Sequence, residues 1–373
     1  MEGKTPEEMP AEPGAPKQSG DAQPAAEKPA PKPKPKPKKA EVGPRFVVSS
    51  SPHMHDGRTV AQIMRLVLIA LAPAAIFSIY IFGLDALRVI MISIASAKIF
   101  EAIAQKIMKR PITLRDSSAA LTGLLLAMNL PSTSPWWLIV VGNFFAIVIA
   151  KQLYGGLGYN PFNPALVGRV VLLISFPVHM TARWVTTSRF GADAVTTATP
   201  LTQMKESLAT LGHIDIAFGK EQIFDLLIGN RAGCLGETSI MLLALGGLFL
   251  LWKRVISWRI PVIFIGAVWA MTGIFHLIDP AHYANPSFHV ITGGLFLGAI
   301  FMATDYVTTP VTKKGMLIFG AGCGVITVLI RLWGAYPEGV SFAILLMNAA
   351  TPLIDRYTKP KVFGAVDSKK AAA

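Results

Sequence analysis

Apolar runs approaching the width of a bilayer recur from Thr59 onward, separated by short polar or Gly/Pro-rich breaks. Their spacing predicts helical spans near 61–82, 84–105, 117–130, 136–153, 163–178, 238–252, 260–279, 287–304, 315–333 and 339–354. Several are shorter than the ~20 residues that cross a ~30 Å hydrocarbon core. Tilted, broken or half-spanning helices are therefore expected among them.

The first 45 residues read differently, being Pro, Ala, Lys and Glu and ending in the alternation PKPKPKPKK from Pro31 to Lys39. Such a segment buries too little apolar area to offset its ordering entropy, which predicts a disordered cytoplasmic tail with polyproline-like stretches. A contact with lipid headgroups or a partner is the other reading of its charge. No apolar region follows the first charges, so a signal peptide is not expected. The chain divides on this reading into a tail (1–45), a first membrane repeat (46–178), an extracytoplasmic loop (179–222), a second membrane repeat (223–358) and a cytoplasmic C-terminal tail (359–373).

Composition narrows the function. Of 373 residues, 52% are hydrophobic and only 15% charged, well below the roughly 25% charged residues of a soluble domain. Lys and Arg number 35 against 22 Asp and Glu, a net +13. Such a balance would suit nucleic acid, but a mean hydropathy of +0.49 argues for a bilayer instead. The two cysteines, Cys234 and Cys323, are too few and too distant for a CxxC zinc site, a four-thiolate iron–sulfur cluster or a disulfide framework.

The basic residues set an orientation. With the N-terminus inside, the interior loops carry Lys106, Lys109, Arg110 and Arg115, then Lys253, Arg254 and Arg259, then Lys313 and Lys314, then Arg356, Lys359 and Lys361. The opposite loops Pro131–Pro135, Asp279–Pro286 and Gly334–Gly339 hold no Lys or Arg. Both termini are then cytoplasmic. The long segment 179–222 carries Arg183, Arg189, Lys205 and Lys220 outside, which long loops tolerate.

A weak internal echo points to duplication. The stretch from Leu121 to Pro135 and that from Ile291 to Pro310 both open on aliphatic-Thr-Gly and close on a Ser/Thr-Pro break. Each is followed by a Gly-bearing span and a Gly/Pro turn into another helix. Two units of five spans would enter the membrane from opposite sides, the arrangement that puts sites near the midplane at broken helices. Chance similarity between short membrane segments is the competing account.

Three places could hold chemistry. The stretch Gly191–Gln203, GADAVTTATPLTQ, surrounds several hydroxyls with small side chains and ends at Thr199-Pro200, where proline holds the preceding residue extended. That presents a hydroxyl to a modifying enzyme, or else is an ordinary polar loop. The break Gly155–Gly168, GGLGYNPFNPALVG, has Asn163 placed to cap the helix that Pro164 begins. It reads as a helix connection, although Gly158 allows close backbone approach and a helix N-terminus attracts anionic or electron-rich groups. Charges inside spans are costly; Lys98 and Glu101 sit three apart on one helical face and are expected to pair, while Arg65, Asp305 and Arg331 lie near span ends and are expected to snorkel. His276 and His289 are expected to be satisfied interfacial histidines, and no residue is expected to act as acid, base or nucleophile.

Asp193, Thr196, Ala198 and Thr199 resemble the flavinylation motif D-x-x-[S/T]-G-A-[S/T] of bacterial redox-pump subunits, with Thr197 where that pattern has Gly. The segments SPHMHDGRTVAQIM from Ser51, PITLRDSSAALTGLLLAMNLPSTSPWW from Pro111 and KQLYGGLGYNPFNPALVGRVVLLISFP from Lys151 also resemble the NqrB/RnfD family, membrane components of the sodium-pumping NADH:quinone reductase and of the Rnf ion-translocating complex. The likeness runs from about residue 45 to the C-terminus and favours the Rnf branch. It implies an all-α polytopic fold of about ten transmembrane helices in two inverted five-helix repeats, urea-transporter-like, in a bacterial inner membrane. It also implies FMN esterified to Thr199, a second non-covalent flavin (riboflavin) or an ion path near Gly158, Asn160 and Asn163, a flavin transferase for maturation and partner subunits bearing flavin or iron–sulfur clusters. The complex would couple electron transfer to Na⁺ or H⁺ movement. Trp184 and Phe190 would stack on the flavin, and Arg183 or Arg189 would neutralise phosphate. A channel or solute transporter of the same architecture, without a redox cofactor, is the alternative.

Overall fold

A computed structural model describes residues 57–181, 184, 198–214, 223, 226–229 and 232–360. It is helical throughout, with no strand among the described residues. The expected N-terminal tail, the C-terminal tail from residue 361, and Arg183, Arg189, Phe190, Asp193, Thr196 and Thr197 lie outside the described residues.

The helices begin where capping chemistry is written. α1 (Val60–Phe82) opens with a reciprocal box in which Thr59 Oγ1 accepts from the Gln62 amide and Gln62 Oε1 accepts from the Thr59 amide. Gly83, at φ 70°, turns the chain into α2 (Leu84–Ile107). α3 (Ser118–Met128) follows, then α4 (Trp136–Gln152), whose second half from Phe144 is π-helical. α5 (Pro164–Ser175) and the short α6 (Pro177–Thr181) complete the first part.

The remaining elements are α7 (Pro200–Leu211), α8 (Ile240–Trp252), α9 (Arg259–Ile278), α10 (Pro286–Ile291), α11 (Leu295–Leu297, running on as a π-helical turn Gly298–Met302), α12 (Lys313–Trp333) and α13 (Val340–Tyr357). α5, α7 and α10 share one start signal, a side-chain cap followed by proline: Asn163-Pro164, Thr199-Pro200 and Asn285-Pro286. Proline there supplies a preset φ and lacks only an N–H that would be unbonded anyway.

α1, α9 and α12 are long and apolar enough to cross a bilayer by length and composition. Their outward faces agree, since Ile69, Ile76, Leu277 and Ile278 are more than half exposed, as are Leu84 and Met91 on α2. A water-facing surface of that kind would be an aggregation liability, whereas lipid covers it without cost. α3 is buried along nearly its whole length yet spans only about 16 Å at 1.5 Å per residue. The segment expected as one span at 287–304 is broken into α10 and α11 by Thr292, Gly293 and Gly294, with Gly293 at φ 73°. Half-length helices therefore lie inside the bundle, where neighbouring protein can satisfy their ends.

Packing follows a regular order. α2 packs on α3 and α4, and α4 on α5; α9 packs on α10 and α12, and α12 on α13. Across these groups α1 lies against α8 and α5 against α13. Glycine sets the closest approaches: a Cβ at Gly168 would lie 2.7 Å from the Gly142 carbonyl oxygen, and one at Gly123 would lie 2.8 Å from the Ser93 carbonyl oxygen. Polar stitches join the same surfaces, with Ser93 Oγ donating to Gly123 O and Asn143 Nδ2 donating to Ser93 Oγ.

Charges inside the helices depart from the sequence expectation. Lys98 is exposed and does not pair with Glu101. Glu101 instead receives Lys151 Nζ at 2.6 Å and Gln152 Nε2 at 2.8 Å, and Lys151 also donates to Ser118 Oγ at 2.6 Å. The partner is 50 positions away in sequence, across the α2–α4 contact, so local spacing on one helix could not disclose it. Arg331 does not snorkel: it is fully buried and donates to the carbonyl oxygens of His289 and Thr292. Asp305 turns into its own loop, accepting from the Val307 amide and the Thr308 hydroxyl, whereas Arg65 is exposed near the start of α1. His276 meets the Tyr283 carbonyl at 2.7 Å. His289 is fully buried and its ring nitrogens have no partner among the described residues, so the satisfied-histidine expectation fails there.

Candidate functional site

Thr199 is the N-cap of α7. Its backbone is extended, at φ −64° and ψ 154°, as the following proline demands. Its hydroxyl oxygen accepts from the Thr202 amide at 3.3 Å and lies 2.9 Å from Thr202 Oγ1. The residue is only 3% exposed, so the hydroxyl does not stand free on the surface as its sequence surroundings suggest. Ala198 beside it accepts from Gln203 Nε2 through its carbonyl.

α7 is seated by apolar and polar contacts together. Leu201 and Met204 pack with Phe288 of α10, and Leu201 approaches Gly293, where a Cβ would meet it at 2.9 Å. Lys205 reaches the end of α12, donating to the carbonyl oxygens of Gly334 at 2.6 Å and Tyr336 at 2.8 Å. Those carbonyls belong to a helix end and the turn after it, where a cation is favoured. Partial burial pushes the Lys205 ammonium pKa below its ordinary value.

This seating closes a cleft with about 350 Å³ of free space, lined by Thr199, Trp184, Arg169 and Leu173 of α5, Met180 and Thr181 of α6, and Tyr336, Pro337 and Glu338 of the α12–α13 turn. Trp184, singled out in the sequence as a stacking residue, is therefore beside Thr199. Arg169 and Glu338 form a buried ion pair across the cleft, and Arg169 Nη1 donates to Asn129 Oδ1 at 2.6 Å. Sequence reasoning missed both. The signal for Arg169 was an arginine five positions inside an apolar helix, a costly placement that marks function by default; Glu338, in a short loop, carried none. Tyr336 stacks on Phe342 with ring centroids 5.3 Å apart, which fixes one wall.

A second cavity, with about 760 Å³ of free space, opens at the break after α4. Asn160, Asn163, Lys151 and Ser118 supply polar walls, and Thr304 and Asp305 face them from the chain after α11. Asn163 caps α5 as expected, its Oδ1 accepting from the Ala165 and Leu166 amides, while its Nδ2 donates to Met302 O. Asn160 is 3% exposed; its Nδ2 donates to Phe162 O, but its Oδ1 has no partner among the described residues. Gly155, Gly156 and Gly158 have φ between 96° and 135°, a backbone only glycine adopts easily, and they fold the break tightly around Gln152 and Tyr159. Gly158 itself does not line the cavity.

The sequence profile of the NQR2, RnfD, RnfE family matches residues 47–364. The chain is 48% identical over 325 residues to the D subunit of the proton-translocating ferredoxin:NAD(+) oxidoreductase complex of Clostridium ljungdahlii, covering 86% of this chain and 96% of that one. It is 47% identical to the Na(+)-translocating counterpart of Acetobacterium woodii, covering 87% and 97%. It is 42% identical to the D subunit of the ion-translocating oxidoreductase complex of Salmonella typhimurium, covering 86% and 98%.

Proposed function

The chain belongs to the NQR2, RnfD, RnfE family, and from that premise we propose that it relays electrons through FMN esterified to Thr199 in an Rnf-type complex. Its relatives are subunits of ion-translocating oxidoreductase complexes, and this chain is a multi-pass membrane subunit of such a complex, dependent on other subunits for substrate oxidation and reduction. The observation that carries the flavin reading is Thr199 itself: the last hydroxyl of the motif caps a helix N-terminus inside a cleft that also holds Trp184 and a buried arginine.

The residues fit the group. Esterification replaces the Oγ1–H bond with an Oγ1–P bond, the proton leaving with the displaced part of the flavin donor. The oxygen can still accept from the Thr202 amide, and the helix N-terminus favours the added negative charge. Trp184 and Tyr336 offer aromatic faces on the wall that Thr199 shares. When bound, the flavin supplies one- or two-electron exchange; the protein's part is to hold it at fixed distance from a partner's centre.

The larger cavity suits the second, non-covalent flavin, riboflavin. Its walls are mostly apolar with a few convergent polar groups, and the unpartnered Asn160 Oδ1 is an acceptor for a ring N–H. We further assign the two helix groups α1–α5 and α8–α13 to inverted repeats of a urea-transporter-like fold, supported by the matching order of their packing partners. Orientation follows from the loop charges, with both termini cytoplasmic in the inner membrane and Thr199 outside. The coupled ion is Na⁺ or H⁺, the two named for the relatives.

The test is in-gel fluorescence of the denatured chain coexpressed with a flavin transferase. A band under ultraviolet light that disappears in Thr199→Ala and persists in Thr196→Ala is the expected result. A dark wild-type band would favour a cofactor-free transporter instead.

A further inference from the structure

Arg169 is the one cation among the described residues lining the Thr199 cleft. It is 5% exposed. Nη2 pairs with Glu338 and Nη1 with Asn129, but Nε has no hydrogen-bond partner among the described residues. A desolvated guanidinium N–H left without an acceptor is unfavourable, and native interiors rarely keep one. Two other donors nearby are committed: the Thr181 hydroxyl to Pro177 O at 2.7 Å, and Lys205 to the turn after α12. The cleft therefore holds one uncommitted, charged donor on the wall that Thr199 shares.

Resting on the flavin reading above, we infer that Arg169 is the positioning residue for the phosphodiester on Thr199, its Nε–H donating to a phosphoryl oxygen while Nη2 keeps Glu338. The cleft and its surroundings contain the carboxyls of Glu338 and the buried Glu237, the latter accepting from Cys234 Sγ, against Arg169 and the buried Arg331. A phosphodiester adds one negative charge to this balanced set, so it needs a direct charged donor, and the spare N–H of Arg169 is the one on the wall among the described residues. A planar guanidinium can serve two anions on different edges, which a lysine cannot. Glu338 then acts as a second anchor that keeps Arg169 from collapsing onto the phosphate and holds the donor at a fixed angle.

The experiment uses the full chain coexpressed with a flavin transferase and purified with its complex, reading flavin-to-protein ratio and the midpoint potential of the attached flavin. The double variant Arg169→Gln/Glu338→Gln removes both charges of the pair, so the interior keeps no uncompensated ion. Its flavin loading is expected to fall about tenfold, the equivalent of one charge-assisted hydrogen bond, and the potential of the loaded fraction to move negative. Arg169→Lys, which restores the charge without Nε–H, should recover the potential in part and the loading less. Wild-type loading and potential in the double variant would overturn the inference alone. A wild-type chain without flavin would overturn the proposed function and the inference together, and Thr199→Ala marks that baseline.

Discussion

Lys205 Nζ lies 2.6 Å from the carbonyl oxygen of Gly334, joining α7 to the turn that follows α12. The same ammonium donates to Tyr336 O, so one side chain ties the helix capped by Thr199 to the loop carrying Glu338. Replacing Lys205 with Ala removes three charge-assisted hydrogen bonds, the longest of them to Ile330 O at 3.5 Å, and leaves the Gly334 and Tyr336 carbonyls to water. The expected cost is about 1–2 kcal/mol, discounted because the group is only part-buried. Hydrogen–deuterium exchange should show faster exchange over 200–211 with the exchange of α12 before residue 330 unchanged.

The Glu101–Lys151 pair is buried on both sides, each side chain 1% exposed. Breaking it with Glu101→Ala or Lys151→Ala strands a charge in the interior and should cost about 3–5 kcal/mol. Substituting both, Glu101→Leu with Lys151→Met, should recover most of that loss. Thermal unfolding of the detergent-purified protein measures all three; equal losses in single and double variants would show that the pair is not the source of the effect.

Two glycines should respond in opposite directions to alanine. Gly168 faces the Gly142 carbonyl, a backbone atom that cannot move aside, so Gly168→Ala should destabilise by about 1–3 kcal/mol. Gly266 on α9 has open space where an added methyl would stand, with nothing within 4 Å, and Gly266→Ala should gain up to about 1 kcal/mol from helix propensity. The difference in melting temperature between the two variants is the readout.

Asn160 offers an unsatisfied acceptor to the larger cavity. If this cavity takes the proposed second flavin, Asn160→Leu should lower the non-covalent flavin released by acid or solvent extraction about tenfold, the loss of roughly one hydrogen bond to a buried ligand. Covalent fluorescence at Thr199 should not change. Equal extractable flavin in variant and wild type would remove the larger cavity from consideration.

Much of this is legible in the amino-acid order. Membrane helix positions follow from apolar run length, and the N-cap at Asn163 from an Asn preceding proline, because both signals are local; the same signal at Thr199-Pro200 starts α7 inside what its polar composition presents as a loop. The break at Thr292–Gly294 is not, since its neighbours on both sides are apolar enough to suggest one continuous span. Partner choice among buried charges is hidden as well. Lys98 looks like the companion of Glu101 at helical spacing, whereas Lys151 reaches Glu101 from another helix. Arg169, the side chain that makes the cleft beside Thr199 electrostatically specific, meets its carboxylate across 169 positions. Spacing along one helix carries no information about such pairings.

The burial of Thr199 imposes an order in time. A hydroxyl that caps α7 and is closed over by α5, Trp184 and the α12–α13 turn is out of reach of a modifying enzyme once that docking is complete. On the flavin reading, modification must come while α7 is still undocked, or during an excursion that releases Lys205 from the end of α12. Maturation of the cofactor and closure of the bundle would then be sequential events, and a chain that closes early would be excluded from electron transfer for as long as it stays closed.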